Sequence, residues 1–474
     1  MAQSGHTLGL RLRKRSSTVA SVLARVWTFA IDGFESCRVC VEVDIRSGLP
    51  AFSIVGLGDA AVRESRERVR AGLLNSGFDF PQRRITANLA PADLRKVGPG
   101  FDLALACGVL AASGQVRDGA LARCAVFAEL SLSGELRGCR GTLAVAQATR
   151  DAGLGTLVLA AEQAEQAALV EGLRVVGARS LREVAALLEG ELPCRPAPAL
   201  ARADAGHARP RAGQDAGEPD LAEVRGHGFA IRALTIAAAG GHNLLLWGPP
   251  GTGKTMLARR LPSILPPLAP EEALEVTRIH GIAGRLPQEG LIVRRPFRSP
   301  HHTISASGLV GGGPLVTPGE ATFAHHGVLF LDELSEFARP SLEALRQPLE
   351  EGRVTIVRGQ RTMVYPTRFT LVASSNPCPC GYGGTDRCRC SQADLARYRR
   401  RLSGPLLDRI DLLVPLQRPP VAQLRGPPAT TSARERDRVV AARERQRARL
   451  ARVAGGGPGG APSDPARFIN SASL

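Results

Sequence analysis

Residues 244–255 run Leu-Leu-Leu-Trp-Gly-Pro-Pro-Gly-Thr-Gly-Lys-Thr, a short apolar stretch followed by a glycine-rich turn, and a helical pattern begins at Met256. The turn matches G-x-x-x-x-G-K-[ST] in the context that this motif requires, with a strand before it and a helix after it. Glycines allow backbone N–H groups to wrap anionic oxygens, and the amino end of the helix adds a favourable dipole. Lys254 supplies a positive charge to the β- and γ-phosphates of a nucleotide, and the Thr255 hydroxyl is a ligand for Mg²⁺. The predicted phosphate-binding residues are Gly248, Pro249, Pro250, Gly251, Thr252, Gly253, Lys254 and Thr255.

A second apolar segment, residues 328–331, lies downstream of this turn and ends in two carboxylates, Asp332 and Glu333. Asp332 fits the role of orienting Mg²⁺ through its bound waters, and Glu333 fits the polarising of the water that attacks the γ-phosphate. An apolar run that ends in Asp-Glu is common by itself, but downstream of a phosphate-binding turn it is a strong signal. We therefore predict that Asp332 belongs to the nucleotide and Mg²⁺ site and that Glu333 is catalytic.

Two more polar residues are candidates for the same chemistry. A third apolar segment, residues 369–374, leads to Asn376, whose amide can hold the γ-phosphate or the attacking water. The alternative is a turn asparagine that precedes a proline. Arg409 stands between Asp408 and Asp411 and is the candidate arginine finger, a side chain that acts on the nucleotide of a neighbouring subunit. A structural salt bridge with one of these two aspartates is the alternative for Arg409.

The order and spacing of these four elements resemble those of an AAA+ ATPase. Residues 298–303, 309–313 and 343–350 narrow the resemblance to its magnesium-chelatase-like branch, and residues 376–381 and 403–411 closely match the YifB/ComM-type subgroup. The resemblance covers roughly residues 22–453. It implies an α/β fold class, in which a P-loop AAA+ parallel-sheet ATPase domain is preceded by a smaller α+β domain.

This resemblance also implies an activity. Members form a hexameric ring with active sites between subunits, and in the ComM type the ring is a DNA helicase that drives branch migration in DNA uptake and recombination. A hairpin precedes the sensor asparagine in this branch, and residues 352–366 fit it, with Arg358 and Arg361 at the tip facing a central pore; a plain surface hairpin is the alternative. We expect an ATP hydrolase that uses ATP and Mg²⁺, assembles with itself and binds single-stranded or branched DNA. No membrane and no small-molecule substrate other than ATP is expected.

Two alternatives to the DNA motor remain open at this stage. One is a chelatase-type ATPase that remodels a protein partner. The other is a truncated nucleotide-binding remnant with little hydrolysis, because family members continue into a small helical lid with a second sensor arginine, and residues 470–474 stop where that lid would begin.

Four of the ten cysteines form the pattern C-x-C-x₇-C-x-C, through Cys378, Cys380, Cys388 and Cys390. Four thiolates on two short turns can close a tetrahedral zinc site, although one intervening residue is tighter than the usual spacing of two to four. Free thiols or a redox pair are the alternatives. Ten cysteines are too few and too scattered for a disulfide-stapled secreted fold, which indicates a cytoplasmic protein.

Residues 56–70 and 88–96 also match the YifB/ComM-type subgroup, and their domain is similar to the Lon-type protease fold, of the ribosomal S5 domain 2-like kind. Lon enzymes use a serine activated by a lysine. By alignment, Gly100 takes the place of the serine and Leu143 that of the lysine, so we expect no peptidase activity. The domain is expected to assemble the ring or to hold a partner, and its candidate contacts, or else merely a solvated basic face, are Arg66, Arg68, Arg70, Arg83 and Arg84.

Composition sets the domain limits. The chain has 474 residues, a formal net charge of +17 and 44% hydrophobic residues, typical of a globular protein of two or three domains. The positive charge is concentrated at the two ends of the chain. Charge alone is equally compatible with binding a phosphate backbone and with a solvated basic surface. The predicted parts are a basic, disordered extension at 1–25, the Lon-like domain at 26–190, a linker at 191–220, the ATPase domain at 221–418, and an Arg-rich tail at 419–474 that is the start of a truncated lid.

Overall fold

The structure is a computed structural model that describes residues 23–193, 196–197, 219–285, 290–313, 316–358, 361–401 and 404–454. The chain divides into two compact units, one up to residue 201 and one after it. Residues 1–22 of the predicted extension, most of the predicted linker at 191–220, and residues 455–474 of the predicted tail lie outside the described residues.

The first unit is a mixed sheet with helices packed against it. Its strands are β1 Ala24–Asp32, β2 Glu35–Arg46, β3 Ala51–Val55, β4 Arg84–Ala90, β5 Cys124–Phe127, β6 Glu129–Leu130, β7 Leu136–Arg137, β8 Thr156–Ala160 and β9 Arg174–Ala178. Its helices are α1 Ala60–Asn75, α2 Asp102–Ala112, α3 Thr142–Asp151, α4 Ala161–Ala167 and α5 Leu181–Glu189, with short 3₁₀ turns at Pro99–Phe101 and Asp118–Leu121. Seven strands form one sheet in the order β3-β4-β2-β1-β5-β8-β9, antiparallel around β2 and parallel elsewhere.

Local sequence explains how these elements begin and which sides they bury. The Asp59 carboxylate accepts a hydrogen bond from the Val62 backbone N–H, so Asp59 caps α1 at its first turn. Helix α2 is buried along its whole length, which agrees with its uniformly apolar sequence Leu103–Ala112 after Asp102. Strand β2 alternates buried and half-buried residues between Val39 and Arg46, the period expected for a strand with one face in the core.

The second unit contains the predicted phosphate-binding turn. Its strands are β10 Leu244–Trp247, β11 Phe297–Arg298, β12 Gly311–Gly312, β13 Thr317–Pro318, β14 Val328–Leu331, β15 Arg353–Arg358, β16 Arg361–Pro366, β17 Thr370–Ser375 and β18 Leu412–Pro415. Its longer helices are α6 Gly228–Gly240, α9 Pro270–Ile282, α14 Gln392–Arg401 and α17 Ser432–Ala454. The shorter ones are α7 Lys254–Ala258, α8 Leu261–Ile264, α10 Ala306–Val310, α11 Glu320–Phe323, α12 Arg339–Ala344, α13 Arg346–Glu351, α15 Gly404–Leu407 and α16 Val421–Arg425, with 3₁₀ turns at Leu221–Glu223 and Leu334–Glu336.

Five of these strands form one parallel sheet in the order β11-β14-β17-β10-β18. Leu244, Leu246, Val328, Phe330 and Val372 are all buried, because helices cover both faces of a parallel sheet. Strand β17 lies between β10 and β14, so the carboxyl ends of these three strands meet at one edge. The α/β class and the parallel sheet predicted from the sequence are confirmed.

Helix α17 is an integral part of the second unit. It packs on α6 and α8, and Val439 is fully buried in the core beside Leu234 and Leu261. The Arg443 guanidinium donates to the Ala238 carbonyl at the end of α6, at 2.7 Å. The polar, Arg-rich sequence of α17 therefore includes two buried apolar residues, Val439 and Leu450, and charged groups that contact the core.

Strands β15 and β16 form a two-stranded hairpin within the predicted range 352–366, and Arg358 pairs with Arg361 at its end. The side chains of these two arginines, and so the contacts predicted for them, lie outside the described part of the structure. Val357 in β15 is 68% exposed, and Tyr365 at the base is buried, with its hydroxyl donating to the Val316 carbonyl.

Among the helices in the described part of the chain, each is too short or too polar to cross a lipid bilayer.

Candidate nucleotide-binding site

The glycine-rich turn between β10 and α7 forms the centre of the site. Gly251 and Gly253 adopt φ angles of +75° and +82°, a backbone conformation that side chains with a Cβ rarely adopt. A Cβ on Gly248 would lie 2.3 Å from the Leu416 carbonyl oxygen, so that position also admits only glycine. The turn can therefore bring its backbone close to an anionic ligand, as the motif predicts.

Lys254 is largely buried, and its ammonium group is held by oxygen atoms at the rim of this turn. Its Nζ donates to the carbonyls of Gly248 (2.7 Å) and Pro249 (2.9 Å) and to the Asn376 side-chain oxygen (2.9 Å). Burial lowers the pKa of Lys254, while the nearby carboxylates Asp332 and Glu333 raise it. All three partners are uncharged oxygens, so the positive charge of Lys254 is not neutralised by them. The lysine is therefore pre-positioned to bind an anion, and a triphosphate fits this site.

The two predicted carboxylates follow β14 and face the same edge. The Thr255 hydroxyl donates to Asp332 Oδ2 at 2.8 Å, and Ser374 donates to Asp332 Oδ1. The hydroxyl and the carboxylate together offer the hard oxygen ligands that Mg²⁺ prefers, so these residues fit the metal that the sequence predicts. Glu333 is exposed and adopts φ +54° and ψ +54°, the left-handed region, where its backbone N–H donates to Ser374 Oγ at 3.1 Å.

Strand β17 connects the phosphate-binding turn to the carboxylates. Asn376 directly follows β17, and its amide reaches Lys254 across the sheet edge. The Gly248 N–H donates to the Ser375 carbonyl at 3.2 Å, which continues the β10–β17 ladder into the turn. The structure thus brings Lys254, Thr255, Asp332, Glu333 and Asn376 together, and their assigned roles stay predictions.

Arg409 lies away from these residues. It precedes β18, so it belongs to the amino ends of the parallel strands, whereas the phosphate-binding turn follows the carboxyl end of β10. Its Nη2 contacts Glu350 Oε1 at 2.7 Å, and the side chain is 47% exposed. The salt bridge with Asp408 or Asp411 that sequence reasoning considered is absent from the ion pairs of the described residues, because Asp411 instead accepts from the Asn243 backbone N–H at 2.7 Å.

Sequence reasoning missed two residues, Ser374 within this site and Asn243 at the opposite, amino ends of the strands. Ser374 is fully buried and joins Asp332 to the Glu333 backbone. Asn243, just before β10, donates from its amide to the Arg409 carbonyl at 2.9 Å and accepts from the Leu371 N–H at 2.8 Å. Each has an ordinary local sequence, and only the pairing of distant strands reveals its role.

The four cysteines of the C-x-C-x₇-C-x-C pattern converge directly after Asn376. All four sulfur atoms lie within 4.8 Å of one another, and all four residues are free of disulfides. The separation is 3.3 Å between Cys378 and Cys380, and 3.8 Å from Cys388 to each of these two. Cys378 is fully buried and the other three are half-buried.

A second cluster, Glu275 with His325 and His326, was not predicted from the sequence. Glu275 Oε2 lies 3.1 Å from His325 Nε2 and 2.7 Å from His326 Nε2. The Arg368 N–H donates to His325 Nδ1 at 2.9 Å, so that nitrogen carries no proton and Nε2 must donate to the carboxylate. This tautomer leaves no lone pair on His325 Nε2 for a metal, and the cluster is a hydrogen-bond network between α9 and the segment before β14.

In the first unit, the two positions aligned with the Lon serine and lysine are buried. A Cβ on Gly100 would lie 2.4 Å from the Phe127 ring, and Leu143 is 2% exposed. The predicted surface contact Arg68 is wrong, because its guanidinium is directed inward and lies 2.6 Å from Asp102, which is fully buried. Burial raises the pKa of Asp102, and hydrogen bonds from Arg68 and Ser65 counteract that rise.

Comparisons with known proteins agree with this architecture. The family model described as magnesium chelatase, subunit ChlI, matches residues 220–424, and the model described as subunit ChlI of Mg-chelatase matches residues 41–163. The chain is 43% identical to the uncharacterized protein YifB of Escherichia coli over 426 residues, which is 90% of this chain and 82% of the relative. It is 42% identical to the competence protein ComM of Haemophilus influenzae over 434 residues, 91% of this chain and 84% of the relative.

A more distant similarity covers only part of the chain. The magnesium-chelatase 38 kDa subunit of Acidiphilium rubrum is 27% identical over 172 residues, which is 31% of this chain and 49% of that subunit.

Proposed function

We propose a function from one premise: this chain belongs to the YifB/ComM branch of the magnesium-chelatase-like proteins. That family is of the AAA+ ATPase type. The proposed activity is hydrolysis of ATP at the turn between β10 and α7, coupled to movement of the protein along DNA. The observation that carries the proposal is the contact of Lys254 with Asn376 and of Thr255 with Asp332, at 2.9 and 2.8 Å, across strands that the sequence keeps far apart.

The chemistry follows from what each side chain offers. Lys254 donates to the phosphate oxygens, where its charge stabilises the negative charge that builds up during transfer of the phosphoryl group. The exposed Glu333 carboxylate accepts a proton from the attacking water, and the Asn376 amide orients that water or the γ-phosphate. Thr255 and Asp332 would hold Mg²⁺, which when bound neutralises charge on the β- and γ-oxygens.

Arg409 supports a role for a second subunit. Since this residue lies at the amino ends of the strands, it does not reach the phosphate-binding turn of its own chain, yet its guanidinium is half exposed. We propose that it contacts the nucleotide of a neighbouring protomer in a closed ring, with six subunits as the expected number. In a closed ring with head-to-tail interfaces, one such contact is repeated at every interface, so each site receives one arginine.

DNA is the proposed substrate of the motor. The relative from Haemophilus influenzae is a competence protein, and competence is the uptake of DNA. The hairpin of β15 and β16 ends in two arginines and exposes Val357, a combination suited to contact a polyanion with apolar bases. We also propose zinc as a structural cofactor at the four cysteines.

The test is the ATPase rate of the full chain with no DNA, with single-stranded DNA and with branched DNA. We expect stimulation by DNA, and a loss of at least about 100-fold in turnover for Lys254→Ala, the loss typical of a preorganised charge on a phosphoryl group. Arg259→Ala removes an exposed positive charge from the end of the same helix and serves as the matched control, with turnover unchanged. No turnover under any of these conditions would contradict the proposal.

The partial similarity to the 38 kDa magnesium-chelatase subunit favours a second candidate, a chelatase-type ATPase that remodels a protein partner. This candidate predicts turnover that rises with a protein partner and is unaffected by DNA. Nucleotide binding without turnover would instead point to an inactive remnant.

A further inference from the structure

We propose that Cys378, Cys380, Cys388 and Cys390 bind one zinc ion and that this ion fixes Asn376 and the phosphate-binding turn in their mutual position. The metal-binding part stands on its own, whereas the positioning part rests on the proposed ATPase function.

Two of the three shortest distances between sulfur atoms are those of a tetrahedral site, and the third is 0.5 Å shorter. Zinc–sulfur bonds of about 2.3 Å require sulfur atoms about 3.8 Å apart at tetrahedral angles. Cys388 lies 3.8 Å from both Cys378 and Cys380, and the four atoms all fall within 4.8 Å. Cys378 and Cys380, at 3.3 Å, are too far apart for a disulfide of about 2.05 Å.

The local backbone explains why the thiols converge. The Gly381 N–H donates to the Cys378 carbonyl at 2.9 Å, so Cys378 and Cys380 lie in one tight turn. The Cys388 N–H donates to the Thr385 carbonyl at 3.0 Å, so Cys388 ends a second turn and Cys390 follows it by two residues. Four soft thiolates select zinc over hard cations such as Mg²⁺, and a complete set of four ligands leaves no position open for a substrate. We therefore assign a structural ion rather than a catalytic one.

The cysteine loop is in direct contact with the nucleotide site. Cys378 is the second residue after Asn376, and a Cβ on Gly381 would lie 2.8 Å from Cδ of Pro250, in the phosphate-binding turn. The Tyr398 hydroxyl, from helix α14 just after the loop, donates to the Asn376 carbonyl at 3.0 Å and accepts from Ser335 at 2.8 Å. The loop thus connects both sides of the Lys254–Asn376 contact.

A metal ion is needed there because the loop has few other means of holding its shape. Residues 377–391 contain no helix or strand, and only Cys378 and Gly381 among them are buried. A cross-link of four ligands removes the conformational freedom of such a loop and supplies folding free energy directly. Without the ion, Asn376 would be held by the end of β17 but not by the loop that follows it.

The metal itself is tested on the full chain, purified without chelators, by mass spectrometry of its metal content. We expect one zinc per chain, and a loss of that zinc in the double variant Cys380→Ser, Cys388→Ser. Cys40→Ser, which changes a half-buried cysteine of the first unit, should keep one zinc. A chain without zinc, or a double variant that retains it, would overturn the assignment.

The positioning role of the ion is tested in the double variant Cys380→Ser, Cys388→Ser, in which hydrogen exchange of residues 248–255 should become faster than in Cys40→Ser; an unchanged exchange rate would overturn that role. The contact between the loop and the turn is tested with two glycine variants. Gly381 and Gly384 both have φ +80°, so alanine strains both equally, but nothing lies within 4 Å of a Cβ on Gly384. We expect zinc content to stay at one in both. Turnover should fall about tenfold in Gly381→Ala and remain nearly unchanged in Gly384→Ala, and hydrogen exchange of residues 248–255 should become faster only in the former.

Equal turnover and equal exchange in the two variants would overturn the positioning role. The outcomes also separate the two levels of the proposal, because metal content and hydrogen exchange need no ATPase activity. If the wild-type chain fails to hydrolyse ATP yet holds zinc, the proposed function fails and the metal site stands.

Discussion

At the scale of single residues, the candidate site is held by hydrogen bonds between strands. Lys254 reaches Asn376 from the turn after β10, and Thr255 reaches Asp332 at the end of β14. Ser374 sits between them, because β17 is the strand between β10 and β14. A buried hydroxyl with these two partners fixes the Asp332 carboxylate and the Glu333 backbone at the same time.

We predict that Ser374→Ala lowers turnover about tenfold and leaves the affinity for ATP within a few-fold of the wild type. The reason is that Asp332 and the Glu333 backbone lose a shared partner while Lys254 and the turn keep theirs. Steady-state kinetics and titration with a fluorescent ATP analogue measure the two quantities. Ser341→Ala is the matched control, since Ser341 is equally buried and donates to the Ile304 carbonyl away from the site. A loss of ATP affinity equal to the loss of turnover would argue against this role.

At the scale of elements, the cluster of Glu275, His325 and His326 ties α9 to the segment before β14. Burial lowers the pKa of His325 to about 4 from 6.5, partly opposed by its hydrogen bond to Glu275. Burial alone raises the pKa of Glu275, but hydrogen bonds from the two histidines bring it well below its ordinary value. The folded state therefore keeps His325 neutral and Glu275 ionised; His326, Glu272 and Arg368 are the other charged or titratable groups beside them.

This tie should weaken in acid. Between pH 6.5 and about 4 the unfolded chain binds a proton at residue 325 that the folded chain does not, so stability falls as the pH drops through this range. We predict that α9 exchanges its amide hydrogens faster at pH 5 than at pH 7, after correction for the intrinsic rate. His325→Gln keeps a donor for Glu275 without titrating at residue 325, and should reduce the pH effect. The same change at the exposed His301 should leave it intact, and an unchanged pH dependence in His325→Gln would contradict the prediction.

Helix α17 shows how an element with a strongly polar sequence joins a core. Ser432 accepts from the Leu221 N–H at 2.9 Å, Glu435 accepts from Thr235, and Val439 supplies the buried apolar contact. Because arginines cover the other faces, the sequence pattern resembles that of a solvated helix.

We predict that Val439→Ala lowers the free energy of unfolding by about 2 kcal/mol, from lost burial and the cavity that remains. The unfolding transition of the second unit, followed by calorimetry of the full chain, measures this. Val421→Ala removes the same atoms from a side chain that is 64% exposed and should change stability by less than about 0.5 kcal/mol. Equal effects of the two variants would mean that the side chain of Val439 contributes nothing to the core.

At the scale of the whole molecule, the position of Arg409 at the amino ends of the strands makes a single chain incomplete for the proposed chemistry. Its ion pair with Glu350 is 47% and 30% exposed on the two sides, so solvent screens it and it contributes little to stability. We propose that a phosphate of another protomer's nucleotide replaces Glu350 in the ring.

We predict that Lys254→Ala and Arg409→Ala, each inactive alone, recover activity when they are assembled together. One variant then supplies the arginine and the other the intact turn, and random mixing in equal amounts yields about a quarter of the wild-type interfaces. ATPase rates of co-assembled, differently tagged chains measure the recovery. Lys254→Ala mixed with Glu333→Gln is the control, because both changes affect the same site and no intact site forms. If the first mixture recovers no more activity than this control, Arg409 lies outside the chemistry.

The sequence by itself determined the features that depend on neighbouring residues. Residues 248–255 predict their turn because the required glycines, lysine and threonine are consecutive, and apolar runs before Asp332 and Asn376 predict strands whose carboxyl ends meet at one edge. The alternation of residues 39–46 and the periodicity of residues 60–75 likewise agree with β2 and α1.

Only the tertiary structure decided which distant side chains meet. The placement of β17 between β10 and β14 puts Ser374 on Asp332, and the pairing of β10 with β18 puts Asn243 on Arg409. The Arg68 guanidinium is directed inward because the buried carboxylate of Asp102 requires an opposite charge beside it. Contacts of this kind depend on strand order and burial, and local periodicity encodes neither, since it reports only which face of an element is apolar.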